Sequence, residues 1–189
     1  AGGAGHENNP STATSGANGG GIIMINSGTL VGNSETIDAR GKFIADVAAA
    51  DGGGGGGAGG SVLLNVLSYS GIVNVNVSGS DGANVSNIGP SNCNGPGGGG
   101  GGGILWINQP VPPPNIILNN NGGANGTTLW SVGLFCTLGG SNGANIGLPG
   151  VYLTDLVFTE SYCRSNFSLV IFSTKGCPTY VHLGPARRT

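Results

Sequence analysis

Two runs of glycine, each leading directly into an apolar block, constrain the fold of this chain more than any other feature. One lies in GPGGGGGGGILWINQ, Gly95 to Gln109, and the other in DGGGGGGAGGSVLLNV, Asp51 to Val66. Glycine loses more backbone freedom on folding than any other residue, so such a run is stable only where neighbouring backbone hydrogen-bonds to it. We therefore predict that the runs lie where backbone packs against backbone, with no room for side chains. Flexible loops are the alternative.

Composition favours a folded chain over a flexible polymer. Glycine accounts for 41 of the 189 residues, but 38% of the residues are hydrophobic and they cluster in blocks of Ile, Val and Leu. Only 7% are charged and the formal net charge is −2, whereas disordered chains combine low hydrophobicity with high net charge. This charge balance gives no basic patch for nucleic acid or an anionic membrane. No apolar run reaches the length of about 18 residues that a membrane-spanning helix needs.

One unit recurs with a period of about 40 residues. Its copies span 16–41, 52–84 and 95–126, with a weaker copy at 141–158. Each copy begins with glycines followed by a first strand, and these strands are predicted to start at Ile22, Val62, Ile104 and Val151. The second strands are TIDA, IVNVNV and NIILN. The repeats together are assigned to residues 1–160, and 161–189 to a C-terminal cap or the start of a further module.

The strand pattern predicts an all-β protein. VNVNVS, Val73 to Ser78, alternates strictly and indicates a strand buried on one face, whereas IIMI and ILWI are continuously apolar, as in strands covered on both faces. Pro110 to Pro114, PVPPP, excludes a helix. A β-propeller has a similar period but needs about four strands per blade. We predict a short parallel β-solenoid, or β-helix, with two strands per repeat and glycine tracts packed in polyglycine-like segments. A bundle of polyglycine helices is the alternative.

The four cysteines match no metal-binding or redox motif. An even number in a chain with few charges favours disulfides and an oxidising compartment. Cys93 and Cys136 each precede the first strand of a unit, so stacked units would bring them together. Of the three pairings that four cysteines allow, stacking favours Cys93–Cys136 with Cys163–Cys177. Free buried thiols are the alternative.

The sequence offers little support for catalysis or for a bound metal, and we predict a non-enzymatic protein without a cofactor. His6 and His182 lie near opposite ends and have no ligand-spaced partner. Asp81, in SGSDGAN, is a candidate calcium ligand, with a tight Asp-Gly turn as the alternative. The nearest approach to an acidic cluster, and so to glycoside hydrolysis, consists of three aspartates: Asp38, Asp46 and Asp51.

Aromatic residues are the candidate ligand contacts, since their rings can stack on sugars. Trp130, in TTLWSVG, and Tyr152 are the two that we single out. Trp106 lies inside ILWIN and is predicted to be a core residue.

Three segments together resemble a known group of proteins: GHENNPSTATSGANGGGIIMIN, DGGGGGGAGGSVLLNV and NCNGPGGGGGGGILWIN. They are similar to glycine-rich repeat modules of large secreted cell-surface proteins of Bacteroidota, which are adhesin-like or gliding-associated and commonly leave by type IX secretion. The resemblance covers roughly Gly5 to Phe158, implies an extracellular, cell-surface location, and carries no catalytic residues.

The function that follows is a non-enzymatic structural or adhesive module of a surface or filamentous assembly. Its expected partners are further copies or neighbouring subunits, and surface glycans; nucleic acid and membrane insertion are not expected. One alternative is a glycan- or receptor-binding tip, as in phage-fibre adhesins. Ice binding ranks low because the threonines form no TxT ladder. The remaining alternative is a polysaccharide-active β-helix enzyme.

Overall fold

The computed structural model describes residues 13–49, 51–87, 93–131 and 136–158. Nearly all of them belong to one compact domain, Ala1–Val157. The second domain, Phe158–Thr189, lies outside the described residues except for Phe158. All regular elements in the described residues are β-strands, which confirms the predicted all-β class for this part of the chain. The strands are β1 (Ile22–Val31), β2 (Thr36–Asp38), β3 (Ala48–Ala49), β4 (Ser61–Ser70), β5 (Val73–Asn76), β6 (Val85–Asn87), β7 (Ile104–Ile107), β8 (Ile116–Asn119), β9 (Thr128–Ser131) and β10 (Val151–Leu153).

The strands form three parallel sheets, and each sheet takes strands from successive units of the sequence. The first sheet has the order β1-β4-β7-β10, the second β2-β5-β8 and the third β3-β6-β9. All seven strand pairs are parallel. Each strand therefore pairs with its counterpart in the next unit rather than with the strand that follows it along the chain.

Units lie in register along the first sheet. Ile22 pairs with Ser61, Ser61 with Ile104, and Ile104 with Val151. The strands predicted to start at Ile22, Ile104 and Val151 do start there. The predicted start of the second unit's strand at Val62 is one residue late, because Ser61 already joins the ladder.

Inward-facing apolar residues of the first and second sheets form the core. The prediction that VNVNVS is buried on one face is confirmed, since Val73, Val75 and Val77 are buried between half-buried neighbours. Full burial of a Val or Leu side chain contributes roughly 1.5–3 kcal/mol. The same cluster contains Ala39, which follows β2, and five residues of the first sheet: Val62, Leu64, Val66, Leu105 and Ile107.

Burial of IIMI and ILWI on both faces was predicted, and this prediction is wrong. In β7, Leu105 and Ile107 are fully buried, whereas Ile104 and Trp106 point outward and are each 36% exposed. Trp106 is thus not the core residue that the sequence predicted. Two-sided burial requires a layer of helices or a further sheet, and no described element covers the outer face of the first sheet.

The third sheet was not predicted. Its strands β3, β6 and β9 lie after the predicted ends of the first three units, at residues 41, 84 and 126, so each repeat has three strands where the sequence predicted two. The strands of the third sheet are short and lack the apolar alternation of β4 and β5. They are held by a ladder of small residues, because Ala48 pairs with Val85 and Val85 pairs with Thr128. All three side chains are completely buried.

Both glycine runs are hydrogen-bonded along their length, with a repeat of three residues. In chain order, the first run lies at residues 52–60 and the second at 95–103. Every third N–H of the first run donates to a carbonyl oxygen of the second run, over 2.8–3.0 Å: Gly53 to Gly95, Gly56 to Gly98 and Gly59 to Gly101. The residue after each of Gly56 and Gly59 donates to a different segment, the one after β2: Gly57 donates to the carbonyl oxygen of Lys42 and Gly60 to that of Ala39. A third neighbour, the segment before β1, donates to the first run from Ala17 and Gly20. The run is therefore bonded in turn to three backbone segments.

Backbone segments approach so closely that some glycine positions exclude any side chain. A Cβ on Gly100 would lie less than 3.0 Å from the carbonyl group of Gly57, a distance that real Cβ atoms essentially never show. At Gly101 the nearest atom would be the carbonyl oxygen of Leu148, at an ordinary 3.7 Å. Adjacent glycines therefore differ in whether they can be replaced.

Candidate interaction surface

The outer face of the first sheet is the most distinctive surface of the described residues. Because the strands are in register, outward side chains line up in rows across all four strands. Two rows are apolar except for one serine, and we call them together the outer face. They are Ile22, Ser61, Ile104, Val151 and Met24, Leu63, Trp106, Leu153.

Exposure of the outer face is large for apolar side chains. Ile22 is 71% and Met24 56% exposed, and Val151 and Leu153 are 47% and 40% exposed. With Ile104 and Trp106 included, the exposed areas of these side chains add up to an apolar patch on the order of 500 Å². This is at the upper end of the range for monomeric proteins. Patches of this size commonly mark a contact with another molecule.

Four polar side-chain atoms at the border of the outer face are already hydrogen-bonded within the chain. The indole N–H of Trp106 donates to the carbonyl oxygen of Thr154 at 2.9 Å. The next outward position holds asparagines, and Asn65 Nδ2 donates to Asn26 Oδ1 at 3.0 Å. Asn108 Oδ1 accepts the backbone N–H of Val66 at 3.0 Å. The outer face therefore presents carbon, with few free donors.

The two predicted ligand contacts lie on different sheets and are not brought together. Trp130, on β9 of the third sheet, is 56% exposed and accessible to a ligand. Tyr152, on β10, pairs with Leu105 and packs inward against the core. Its role as a ligand contact stays a prediction.

Two tyrosine hydroxyls of the interior lack a hydrogen-bond partner among the described residues. They are the hydroxyls of Tyr69 and Tyr152, both of which pack against the core cluster. Burial, with the nearby Tyr152 as a smaller cause, raises the pKa of Tyr69 to about 12. Burial also raises the pKa of Tyr152. Both groups are therefore neutral at physiological pH.

Three of the four predicted acidic candidates are used in structural contacts, and the fourth, Asp46, is exposed. Asp38 forms an ion pair with Arg40, at 3.1 Å, and Asp81 Oδ1 accepts the backbone N–H of Ala124 at 2.7 Å. Asp51 is buried and accepts the N–H of Gly52. Within the ranges that the structure describes, no group of three or more His, Cys, Asp and Glu residues could hold a metal ion. His6 and His182 lie outside those ranges.

A disulfide joins Cys93 and Cys136, as predicted, with their Cα atoms 5.2 Å apart. Asn87, which is almost fully buried, lies beside it and donates to Cys136 Sγ at 3.4 Å and to the carbonyl oxygen of Asn94 at 3.2 Å. The bridge therefore fixes two connecting segments to the end of β6. The predicted pair Cys163–Cys177 lies outside the described residues.

The outer face was not predicted from the sequence, although the continuously apolar blocks IIMI and ILWI indicated it. An apolar run on both faces of a strand indicates a second covering layer, and no amphipathic helix in the sequence could supply one. Ile22 and Met24 were therefore candidates for a contact outside the chain.

No family model matches the chain, and no similar protein was found among curated proteins or solved structures. No helix of the described part is long and apolar enough to span a membrane.

Proposed function

We propose that the chain is a non-enzymatic structural or adhesive module of an extracellular surface or filamentous assembly. One observation carries this proposal: an uncharged, apolar outer face is displayed on a set of parallel strands that are stacked in register. A face of this kind is held in place by backbone hydrogen bonds and needs no further ordering before it makes contact. Contact surfaces that are ordered in advance lose little entropy on binding.

Units of the chain are, in this proposal, the coils of a parallel β-solenoid with a repeat of about 40 residues. Its glycine tracts run as polyglycine-like segments. The three-residue hydrogen-bond repeat supports this assignment, because extended threefold helices direct successive residues to three neighbours in turn.

An extracellular location is supported by the Cys93–Cys136 bridge, since disulfides persist in oxidising compartments. The low content of charged residues and the resemblance to secreted Bacteroidota surface modules agree with it. The disulfide lies among the repeats, so it would strengthen the stack itself.

A glycan- or receptor-binding tip is the second candidate function. The observation that favours it is the exposed Trp130, whose ring is free to stack on a sugar. A polysaccharide-active enzyme has less support, because Asp38 is engaged with Arg40.

Electron microscopy of the purified chain and of its native assembly tests the proposal, together with binding to glycan-coated surfaces. Filaments, lateral arrays or surface adhesion are expected. Soluble single particles that neither assemble nor adhere, or hydrolysis of a polysaccharide that is lost in Asp38→Asn, would contradict it. Glycan binding that Trp130→Ala abolishes, without assembly, would establish the tip function instead.

A further inference from the structure

We propose that the outer face binds the same face of a second copy of this chain through a two-fold axis. This inference rests on the proposed function and names the partner of that surface. The argument uses the charge, hydrogen bonding, shape and area of the outer face.

Charge favours a second copy as the partner. A two-fold contact places the same patch on both sides, so a charged patch would meet its own sign. Both rows of the outer face contain no Asp, Glu, Lys or Arg. Self-contact therefore brings no repulsion.

Hydrogen bonding disfavours the other partners. A sugar needs several free donors and acceptors beside an aromatic ring, yet the Trp106 indole N–H is bonded to Thr154, and each bordering asparagine has one side-chain atom bonded within the chain. An anionic lipid surface would need cations around the apolar patch, and the rows supply none. An apolar copy needs neither.

Shape gives a specific arrangement. A two-fold axis parallel to the strands and between β4 and β7 places β4 of one copy over β7 of the other. Ser61 then faces Ile104 of the second copy, and Leu63 faces Trp106, so that smaller residues lie opposite larger ones. At the periphery Met24 faces Leu153 of the second copy. Stacked sheets pack about 10 Å apart with interdigitated side chains, which suits such alternation.

Area sets the expected strength. The patch of about 500 Å² is smaller than the roughly 800 Å² per partner of a standard stable interface. We therefore expect a reversible dimer with a Kd of roughly micromolar order rather than an obligate one. Several modules side by side would bind more tightly through multivalency.

Sedimentation velocity of the full 189-residue chain, over a series of concentrations, measures this dimerisation. Met24→Lys should weaken it at least tenfold, since the lysine would be buried without a partner. The matched control is Ile117→Lys on β8 of the second sheet, where the residue is similarly exposed at 55% against 56% for Met24. The control should dimerise like the unchanged chain, and circular dichroism should show the same fold for both.

A mixing experiment tests the arrangement itself. The Met24→Lys chain and a Leu153→Glu chain should each dimerise poorly alone, and a mixture should form a heterodimer because lysine then faces glutamate. A chain that is monomeric at every concentration, equal weakening by the two lysine variants, or no heterodimer in the mixture would overturn the proposal.

Other partners would be revealed by the same variants. If Met24→Lys loses binding to glycan-coated surfaces or to anionic vesicles while self-association is unchanged, the outer face belongs to that partner and the inference is wrong. Filaments or adhesion that persist in Met24→Lys would leave the proposed function standing without this interface.

Discussion

Replacement of Gly100 by alanine gives the most direct test of how the glycine tracts stabilise the fold. Gly100 lies in the second run, and its buried backbone packs against the carbonyl group of Gly57 in the preceding unit. A methyl group there cannot be accommodated by a side-chain rotation, because the atoms that it meets belong to the backbone. The two segments must therefore move apart.

Hydrogen bonds set the magnitude of the effect. Gly100 donates to the carbonyl oxygen of Ser80 and accepts from the N–H of Gly123, both at 2.8 Å. Separation of the segments weakens or breaks both bonds, and each buried group left unpaired costs about 1–3 kcal/mol. We expect Gly100→Ala to lower the free energy of unfolding by about 3–5 kcal/mol. For a chain of this length that corresponds to a fall in Tm of about 10 °C.

The adjacent Gly101 supplies the control. A Cβ there meets only the carbonyl oxygen of Leu148, at 3.7 Å. Gly101→Ala should change the free energy of unfolding by less than about 1 kcal/mol, and restriction of the unfolded chain can make it slightly stabilising. Urea unfolding followed by circular dichroism measures both variants.

Equal stability of the two alanine variants would refute the reasoning. If Gly100→Ala were harmless, the tracts would not depend on close backbone contact. If Gly101→Ala were as damaging as Gly100→Ala, general stiffening rather than position-specific packing would explain the glycines.

Three further predictions concern Tyr69, the Cys93–Cys136 bridge and Asp81. Burial raises the pKa of Tyr69 in the folded chain to about 12, so the unfolded chain ionises at this residue first, at about pH 10. The free energy of unfolding should therefore fall as the pH rises from about 10 to about 12. In urea unfolding at a series of pH values, Tyr69→Phe should reduce that fall without loss of stability at neutral pH. Replacing both Cys93 and Cys136 by serine should lower the free energy of unfolding by about 4 kcal/mol, because a bridge across 43 residues strongly restricts the unfolded chain. A loss below about 1 kcal/mol would show that other contacts already hold these segments. Asp81→Ala should lower the unfolding free energy by no more than about 1 kcal/mol, because the N–H of Ala124 loses its acceptor but is exposed and can bond water instead. Asp81→Asn, which keeps an oxygen there, should cost less, and thermal melts that rank the two the other way would contradict this role.

Sequence patterns located the strands of the first two sheets because those strands carry a strong apolar signal. Val73 and Val75 alternate with asparagine, and the blocks after the glycine runs are rich in Ile, Val and Leu. The Cys93–Cys136 bridge followed from the position of each cysteine before a first strand. These are local features, and the repeat converts them into contacts between units.

Other features could not be predicted because they depend on neighbours distant in sequence. The third sheet depends on Ala48, Val85 and Thr128, whose common property is small size rather than a strand-like pattern. The outer face that Trp106 occupies has no covering layer among the described residues, whereas the apolar neighbours of Trp106 indicated a core. Which glycines exclude a side chain depends on the neighbouring segment, as Gly100 and Gly101 show.

Apolar residues on both faces of β1 and β7 have a consequence for folding fidelity. A shift of one residue in a strand normally moves its apolar residues into water, and this penalty fixes the alignment. In ILWI either set of alternate residues could fill the core, so hydrophobicity discriminates weakly between the two alignments. Steric exclusion supplies the discrimination. A shift that puts Ile104 at the place of Gly103 would drive its Cβ into the carbonyl of Gly60 and would also bury Asn108 at the place of Ile107. The opposite shift would force the larger Trp106 into the place of the fully buried Ile107. The junction of Gly103 and Ile104 thus fixes the alignment of the strand. Insertions or deletions at this junction, rather than within the strands, should cause misfolding.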